Sequence, residues 1–399
     1  MKKINDGLNR CDIYVSIWCL YLLQDILYPQ GYINQILQFV VIFWSLVVSC
    51  KYLFKWYGNT MLLKSTNLLV FMFTVYGIIY LYSEPVVFVF GGSPASYYYL
   101  QYAYNSLLPI YVFYHYSKLG YLTETKIKIY FLALFLIAIP NYFLNYSRLL
   151  NANQYGKTEF TNNVGYTFLS LFPMVVFFYR RRLIQYLFSA LLMIFILSSM
   201  KRGAILIGAI CLLFFLITNW KTSKRGGRIF LVVLSVLLLI SAIWYVEYLL
   251  DNSDYFVRRL QDTKNMDSSG RDFLFNRIIK GYWNEGSLLN LLFGYGANST
   301  IRFAGNYAHN DWLETLCNNG IVGMMLLINW FLCIIKEVKS SRHLIDKYMF
   351  YAYVLIFLIV FLKSFFSMSI MGMELGLVIL IGYLTYKTKS GHVYNSLYR

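Results

Sequence analysis

The sequence predicts an all-α polytopic membrane protein, and three observations carry that fold class. Hydrophobic residues make up 59% of the 399 and charged residues only 13%, where a soluble domain is nearer half apolar. The apolar residues gather into runs long enough to cross a bilayer, whose core of roughly 30 Å takes about 20 helical residues. The lysines and arginines fall between these runs and alternate from rich to poor along the chain. A formal charge of +17 would suit a nucleic-acid binder if it formed one patch. Spread over short loops it sets topology instead, so no nucleic-acid partner is expected.

Twelve runs are predicted as spans, near 13–28, 32–54, 66–83, 98–117, 127–146, 163–179, 183–199, 203–220, 228–250, 320–336, 347–367 and 370–386. The first is short and carries Asp25 near one end. It follows a basic stretch, MKKINDGLNR, with no small-residue cleavage site after it, so a retained first span is expected. With the N-terminus in the cytoplasm, three or four cations fall in every inner segment, among them Lys51, Lys55 and Lys64, then Arg180, Arg181 and Arg182, then Lys336, Lys339, Arg342 and Lys347. The short outer loops are nearly bare: none at 29–31 or 84–97, Arg148 and Lys157 in the third, Lys363 near the last. Both termini are therefore expected in the cytoplasm. Pro109, Pro140 and Pro173 interrupt the fourth, fifth and sixth runs, where each removes a backbone donor. The aromatic run Tyr97–Tyr104 reads as an interfacial belt.

One polar stretch, 251–320, breaks the pattern and divides the chain into spans one to nine (1–250), an extracytoplasmic loop between the ninth and tenth spans, and spans ten to twelve with a tail (321–399). The loop retains Arg258, Arg259, Lys264, Arg271, Arg277, Lys280 and Arg302 on the side that should lack positive charge. The tight turn SSMKRGA, with Lys201 and Arg202, does the same. Cations kept against the topological preference point to an anionic partner at the outer face.

Each candidate has a plain reading beside a chemical one. Arg202, at the outer end of the eighth span, is either a snorkelling end-cap or an anion ligand. Arg271 opens a segment whose apolar residues Phe275, Ile278, Ile279 and Tyr282 recur at helical spacing, and Ser269 with Asp272 suggests a capping box at its start. A guanidinium beside free N–H groups makes an anion seat; the alternative is a solvated arginine. His309 is the single histidine on the outer side, with His115, His343 and His392 on the other, and its titration range suits proton transfer. Asp311 and Glu314, three apart, are first of all a capping box for the helix entering the tenth span. Gly294 and Gly296 allow a tight turn that approaches a ligand closely. The outer loops contain no DxD or HExxH arrangement, so neither a metal nor another cofactor is expected. The six cysteines show no CxxC spacing.

In order along the chain, SSMKRGA, SGRDFLF, LLFGYGANS and AHNDWLE resemble the O-antigen ligase and polysaccharide polymerase (Wzy-type) superfamily of bacterial envelopes. The motifs span roughly residues 197–323, and the first half of the chain matches in topology alone. The resemblance implies a GT-C-like, metal-independent glycosyltransferase of the bacterial inner membrane acting on an undecaprenyl-diphosphate-linked glycan. It assigns the diphosphate to Arg202 and Arg271 and the acceptor hydroxyl to His309 as catalytic residues. Lys201, Arg302, Gly294, Gly296, Asn310 and Glu314 are then the expected substrate-binding residues. One departure is the lysine before Arg202, where the family carries a small residue. Besides lipid-linked glycan and bilayer, a chain-length regulator is a candidate partner. Polymerisation of O-antigen or capsule repeat units leads, transfer of the finished chain to lipid A core is second, and a transporter or lipid-linked sugar flippase is the reading of another class. Transport calls for binding groups near the bilayer midplane, yet Glu374 in the last run is nearly alone there.

Overall fold

A computed structural model of the chain describes residues 9–28, 31–55, 58–82, 95–150, 163–223, 225–252, 257, 271–284, 286–370 and 372–397. Among them every regular element is helical: α1 (Arg10–Leu27), α2 (Tyr32–Leu53), α3 (Met61–Tyr82), α4 (Ala95–Lys118), α5 (Glu124–Leu150), α6 (Val164–Val175), α7 (Arg182–Ser198), α8 (Arg202–Thr222), α9 (Arg225–Asn252), α10 (Arg271–Asn284), α11 (Leu288–Phe293), α12 (Ser299–Ala304), α13 (Asp311–Ser341), α14 (Lys347–Phe366) and α15 (Leu375–Leu397). Most of each of the twelve apolar runs lies on a helix. Among the described residues six helices are long and apolar enough to cross a membrane: Tyr32–Leu53, Met61–Ile79, Glu124–Asn145, Arg202–Thr222, Asp311–Ser341 and Lys347–Phe366. Val164–Phe178 and Arg182–Ser198 are shorter apolar helices, and α1 carries Arg10, Asp12 and Asp25.

The helices run up and down, so that alternate connections meet at the same end. At one end the basic connections converge. There Arg182 donates to Ser223 and to the Thr222 carbonyl (3.0 Å), Tyr348 donates to Glu124 (2.5 Å), Lys126 pairs with Asp12 (2.9 Å), and Lys389 reaches the Gly58 carbonyl. We call this the basic end. The polar helices α10 to α12 lie at the opposite, loop end.

The core is centred on α4, whose residues Leu107, Leu108, Ile110, Tyr111, Val112 and Phe113 are all sealed from solvent. It packs against α2, α3 and, most extensively, α15. A Cβ on Gly382 of α15 would stand 2.6 Å from the Ile110 carbonyl, so the helices meet nearly backbone to backbone, the small-residue contact typical of membrane bundles. Ile33, Ile36, Phe39, Phe43 and Val47 of α2 form an outward apolar strip suited to hydrocarbon. The helices continue through Pro109 and Pro140, while α6 tightens after Pro173 into a 3-10 turn at Val176–Phe178.

Lys363 lies within the eleventh run, as expected, in the last turn of α14 and 3% exposed. Two expectations are corrected. Glu374 is not inside the last helix, which begins at Leu375. Tyr99, placed in an interfacial belt, is buried: its hydroxyl donates to Asn319 Oδ1 (2.9 Å) and accepts from Asn319 Nδ2 (2.6 Å). The side chains of Tyr97 and Tyr98 lie outside the described residues, as do Arg258, Arg259, Lys264 and Ser269.

Candidate active site

The SSMKRGA motif forms the turn between α7 and α8. Met200 takes a left-handed conformation (φ 54°), Lys201 returns to extended backbone as the N-cap, and Arg202 is the first helical residue, with its side chain exposed. Gly203 has a packing reason to be glycine. A Cβ there would stand 2.3 Å from the Tyr166 hydroxyl and 2.8 Å from Phe366 Cβ, so the first turn of α8 is pressed between α6 and the end of α14.

Around Tyr166 the cations gather. Lys201 Nζ lies 6.0 Å and Lys363 Nζ 5.2 Å from its ring centroid, and Arg271 of α10 is within electrostatic reach of its hydroxyl. That hydroxyl is buried and has no hydrogen-bond partner among the described residues. Lys363 donates to Glu374 Oε1 (2.6 Å) and to the Gly372 carbonyl (2.9 Å), and a buried ammonium needs such compensation. Neither Tyr166 nor Lys363 was singled out from the sequence. The available signal was a lysine within an apolar run and an isolated glutamate eleven residues on, two charges that membrane burial would force to pair.

His309 sits just before α13, exposed and in left-handed conformation (φ 50°), its ring 6.4 Å from that of Tyr307. The residues after it are anchored on α14. Asn310 Oδ1 accepts from the backbone N–H of Trp312 (2.9 Å) and Leu313 (3.1 Å), while its Nδ2 donates to the Phe365 carbonyl (3.3 Å). Trp312 donates from Nε1 to Ser364 (3.0 Å) and stacks on Phe365, ring centroids 5.4 Å apart. The expected Asp311–Glu314 capping box is therefore absent, because Asn310 takes the cap one residue earlier. Freed from that role, Asp311 accepts from the backbone N–H of Ser369 (2.7 Å) and Ile370 (3.0 Å), which holds the link between α14 and α15 out of helix. Glu314 is buried and accepts from Thr300 Oγ1 (2.9 Å) and Ala308 N–H (2.6 Å), tying α12 and the segment before His309 to α13.

The glycine motif serves the same scaffold. Gly294 (φ 87°) and Gly320 (φ 67°) face each other: a Cβ on the first would lie 2.3 Å from the Asn318 carbonyl oxygen, and one on the second 2.4 Å from that of Leu292. Gly294, expected beside a ligand, thus makes its close approach to the α13 backbone, which breaks at Gly320; Gly296 also has positive φ (106°). Tyr295 N–H donates to the Cys317 carbonyl (2.8 Å), and Ser299 donates to Asn318 Oδ1 from both N–H and Oγ (3.0 Å each). Through Tyr282, whose hydroxyl donates to the Leu291 carbonyl (2.6 Å), α10 joins this unit. Burial pushes that phenol up to about 12, so it remains a neutral donor. Arg302 is exposed in the last turn of α12. A void beside Asp311 and Glu314 measures about 10 Å³, room for roughly one water.

Consequently the last turn of α14 is a floor shared by the motifs: Lys363 under Tyr166, Ser364 and Phe365 under the His309 segment, Phe366 against Gly203. Among the described residues the non-glycine positions with left-handed backbone are Met200, Asn298 and His309, one in each of three motifs. Such conformations cost about 1–3 kcal/mol each and concentrate where function demands a fixed geometry. Lys201, Lys363 and Arg271 near Tyr166 suit an anionic group, and the exposed imidazole of His309 suits proton transfer. A search of curated proteins finds no match to the chain. Residues 186–328, which contain Lys201, Arg202, Arg271, Arg302 and His309, match the family model described as O-Antigen ligase, and this supports placing the chain in the O-antigen ligase and polymerase superfamily.

Proposed function

We propose that the chain is a membrane glycosyltransferase that polymerises undecaprenyl-diphosphate-linked oligosaccharide repeat units into O-antigen or capsular polysaccharide. The observation that supports the reading is the last turn of α14, against which the SSMKRGA turn and the His309 segment both pack, these two and Arg271 lying within the family-matched residues 186–328. Arg202 and Arg271 hold the diphosphate, and Lys201, Arg302 and Asn310 border the same seat. His309 takes the proton from the acceptor hydroxyl as its oxygen bonds the anomeric carbon. The bond from that carbon to the diphosphate breaks, and the dianion leaves with the electron pair. Each charge-assisted hydrogen bond to the leaving group contributes roughly 1.5–3 kcal/mol, and a positioned base a factor on the order of 100 to 10,000. On this reading all twelve long runs are spans of the bacterial inner membrane, both termini are cytoplasmic, residues 251–320 lie outside, and a chain-length regulator is a partner.

Transfer of the finished glycan to lipid A core is the second reading, favoured by the description of the matched family model as ligase. Cells lacking the protein separate the two. A polymerase mutant makes single-repeat product, and a ligase mutant accumulates long unattached chains. Normal chain length together with normal attachment removes both.

A further inference from the structure

At the basic end, away from the candidate active site, a cavity of about 190 Å³ lies between the 3-10 turn after α6, the start of α7, the end of α8 and the start of α14. Its polar lining includes Arg182, Gln185, Asn219 and Lys347. Two features make it a site for an anion. Helices α7 and α14 both begin beside it, at Arg182 and Lys347, and the side chains of their N-caps, Arg181 and Asp346, bond neither helix, so each start keeps first-turn N–H groups and a positive dipole end, the second with the Asp346 carboxylate next to it. The two cations at those starts are held by neutral groups in this structure. Arg182 donates to Ser223 and the Thr222 carbonyl, and Lys347 Nζ stands 5.9 Å over the Tyr351 ring. The nearby acid Glu124 is engaged by the Tyr348 hydroxyl, and Tyr348 is stacked on Tyr179 with ring centroids 3.9 Å apart.

A third feature narrows the ligand. Gln185 is 2% exposed, and while its amide N–H reaches the Val176 carbonyl at 3.4 Å, its Oε1 is buried without a partner among the described residues. A buried acceptor in that state calls for a donor, which a bare phosphate dianion lacks and a hydroxyl supplies. Apolar walls from Val176, Phe215 and Leu355 complete the pocket. Exposed Leu183, Leu187 and Ile217 line the outer faces of α7 and α8 beside it, where acyl chains would run.

We propose that this cavity binds a phosphate ester bearing a free hydroxyl, supplied by an anionic phospholipid of the adjoining leaflet, with the phosphate at Arg182, Lys347 and the two helix starts and the hydroxyl at Gln185. Basic pockets between spans at a cation-rich membrane face are suited to such headgroups. This lipid site stands independently of the glycosyltransferase reading. The full-length protein in detergent, titrated with phosphatidylglycerol, shows a saturable rise in Tm; phosphatidylcholine gives none. The Lys347→Gln variant, and separately Gln185→Leu, requires roughly tenfold more phosphatidylglycerol for the same rise. If glycerol 3-phosphate alone reproduces the saturable rise, the phosphate-ester site stands and its source is soluble, which overturns the lipid assignment. Equal responses to both lipids, or wild-type titration in both variants, overturns the site altogether.

Discussion

The two ends of the bundle carry cations for different purposes. At the basic end, Lys126 and Lys389 close onto groups beside them, a carboxylate and a carbonyl, and serve the local packing of the helix ends. At the loop end, Lys363 is buried and paired, Lys201 leans over Tyr166, and the backbone is bent into left-handed conformation to present Arg202 and His309. In the proposed topology a positive charge at the first end stands where the positive-inside bias favours it, while at the second it is retained against that bias beside turns of left-handed backbone.

Substitution at the two ends should therefore differ in kind. The largest effect is expected at the loop end: Arg202→Ala, Arg271→Ala or His309→Ala each lowers polysaccharide product roughly 100-fold or more, with membrane insertion unchanged, measured as chain-length profiles in a complemented deletion strain. Arg202→Lys is also impaired, since an ammonium lacks the planar two-pronged contact. Near-normal product from any one variant removes that residue from the site. Next comes Gly294→Ala, where positive φ and the Asn318 carbonyl both oppose a Cβ; it destabilises by about 3 kcal/mol in thermal unfolding. Lys363→Met leaves Glu374 without its ammonium and costs about 3 kcal/mol, while adding Glu374→Gln restores much of the loss; failure of that rescue would deny that the pair acts as a unit. Asn310→Ala loses the cap on α13 and costs about 1 kcal/mol, with a decrease in product because His309 is the neighbouring residue. At the basic end, Arg180→Gln removes only an exposed contact to Tyr179 and gives no measurable shift in unfolding midpoint or product.

Much of the bundle was legible because hydropathy and helix length act along the chain. Most of each apolar run lies in a helix, and the SSMKRGA turn joins two of them as expected. Arg202, Arg271 and His309 stood out as candidates by charge or chemistry on the side expected to lack positive charge. The supporting contacts did not. Lys363 and Glu374 are separated by a non-helical link whose shape depends on Asp311, more than fifty residues earlier in the chain. The cap on α13 was misplaced by one position because His-Asn-Asp offers two good caps in succession, and the choice is settled by what else each can reach: Phe365 for Asn310, Ser369 and Ile370 for Asp311. Tyr99 looked interfacial because its row of tyrosines is amphipathic on its own. Its partner, Asn319, stands beside a glycine break that only tertiary structure reveals.

The docking of the His309 segment onto Ser364, Phe365 and the link after them has an implication for biogenesis. A nascent chain translated as far as residue 328 already contains the whole family-matched segment, yet the surface on which its histidine must rest is still unmade. The His309 segment thus gains its support only once the final hairpin is delivered, so a chain ending near residue 328 carries the matched segment without the groups that anchor it.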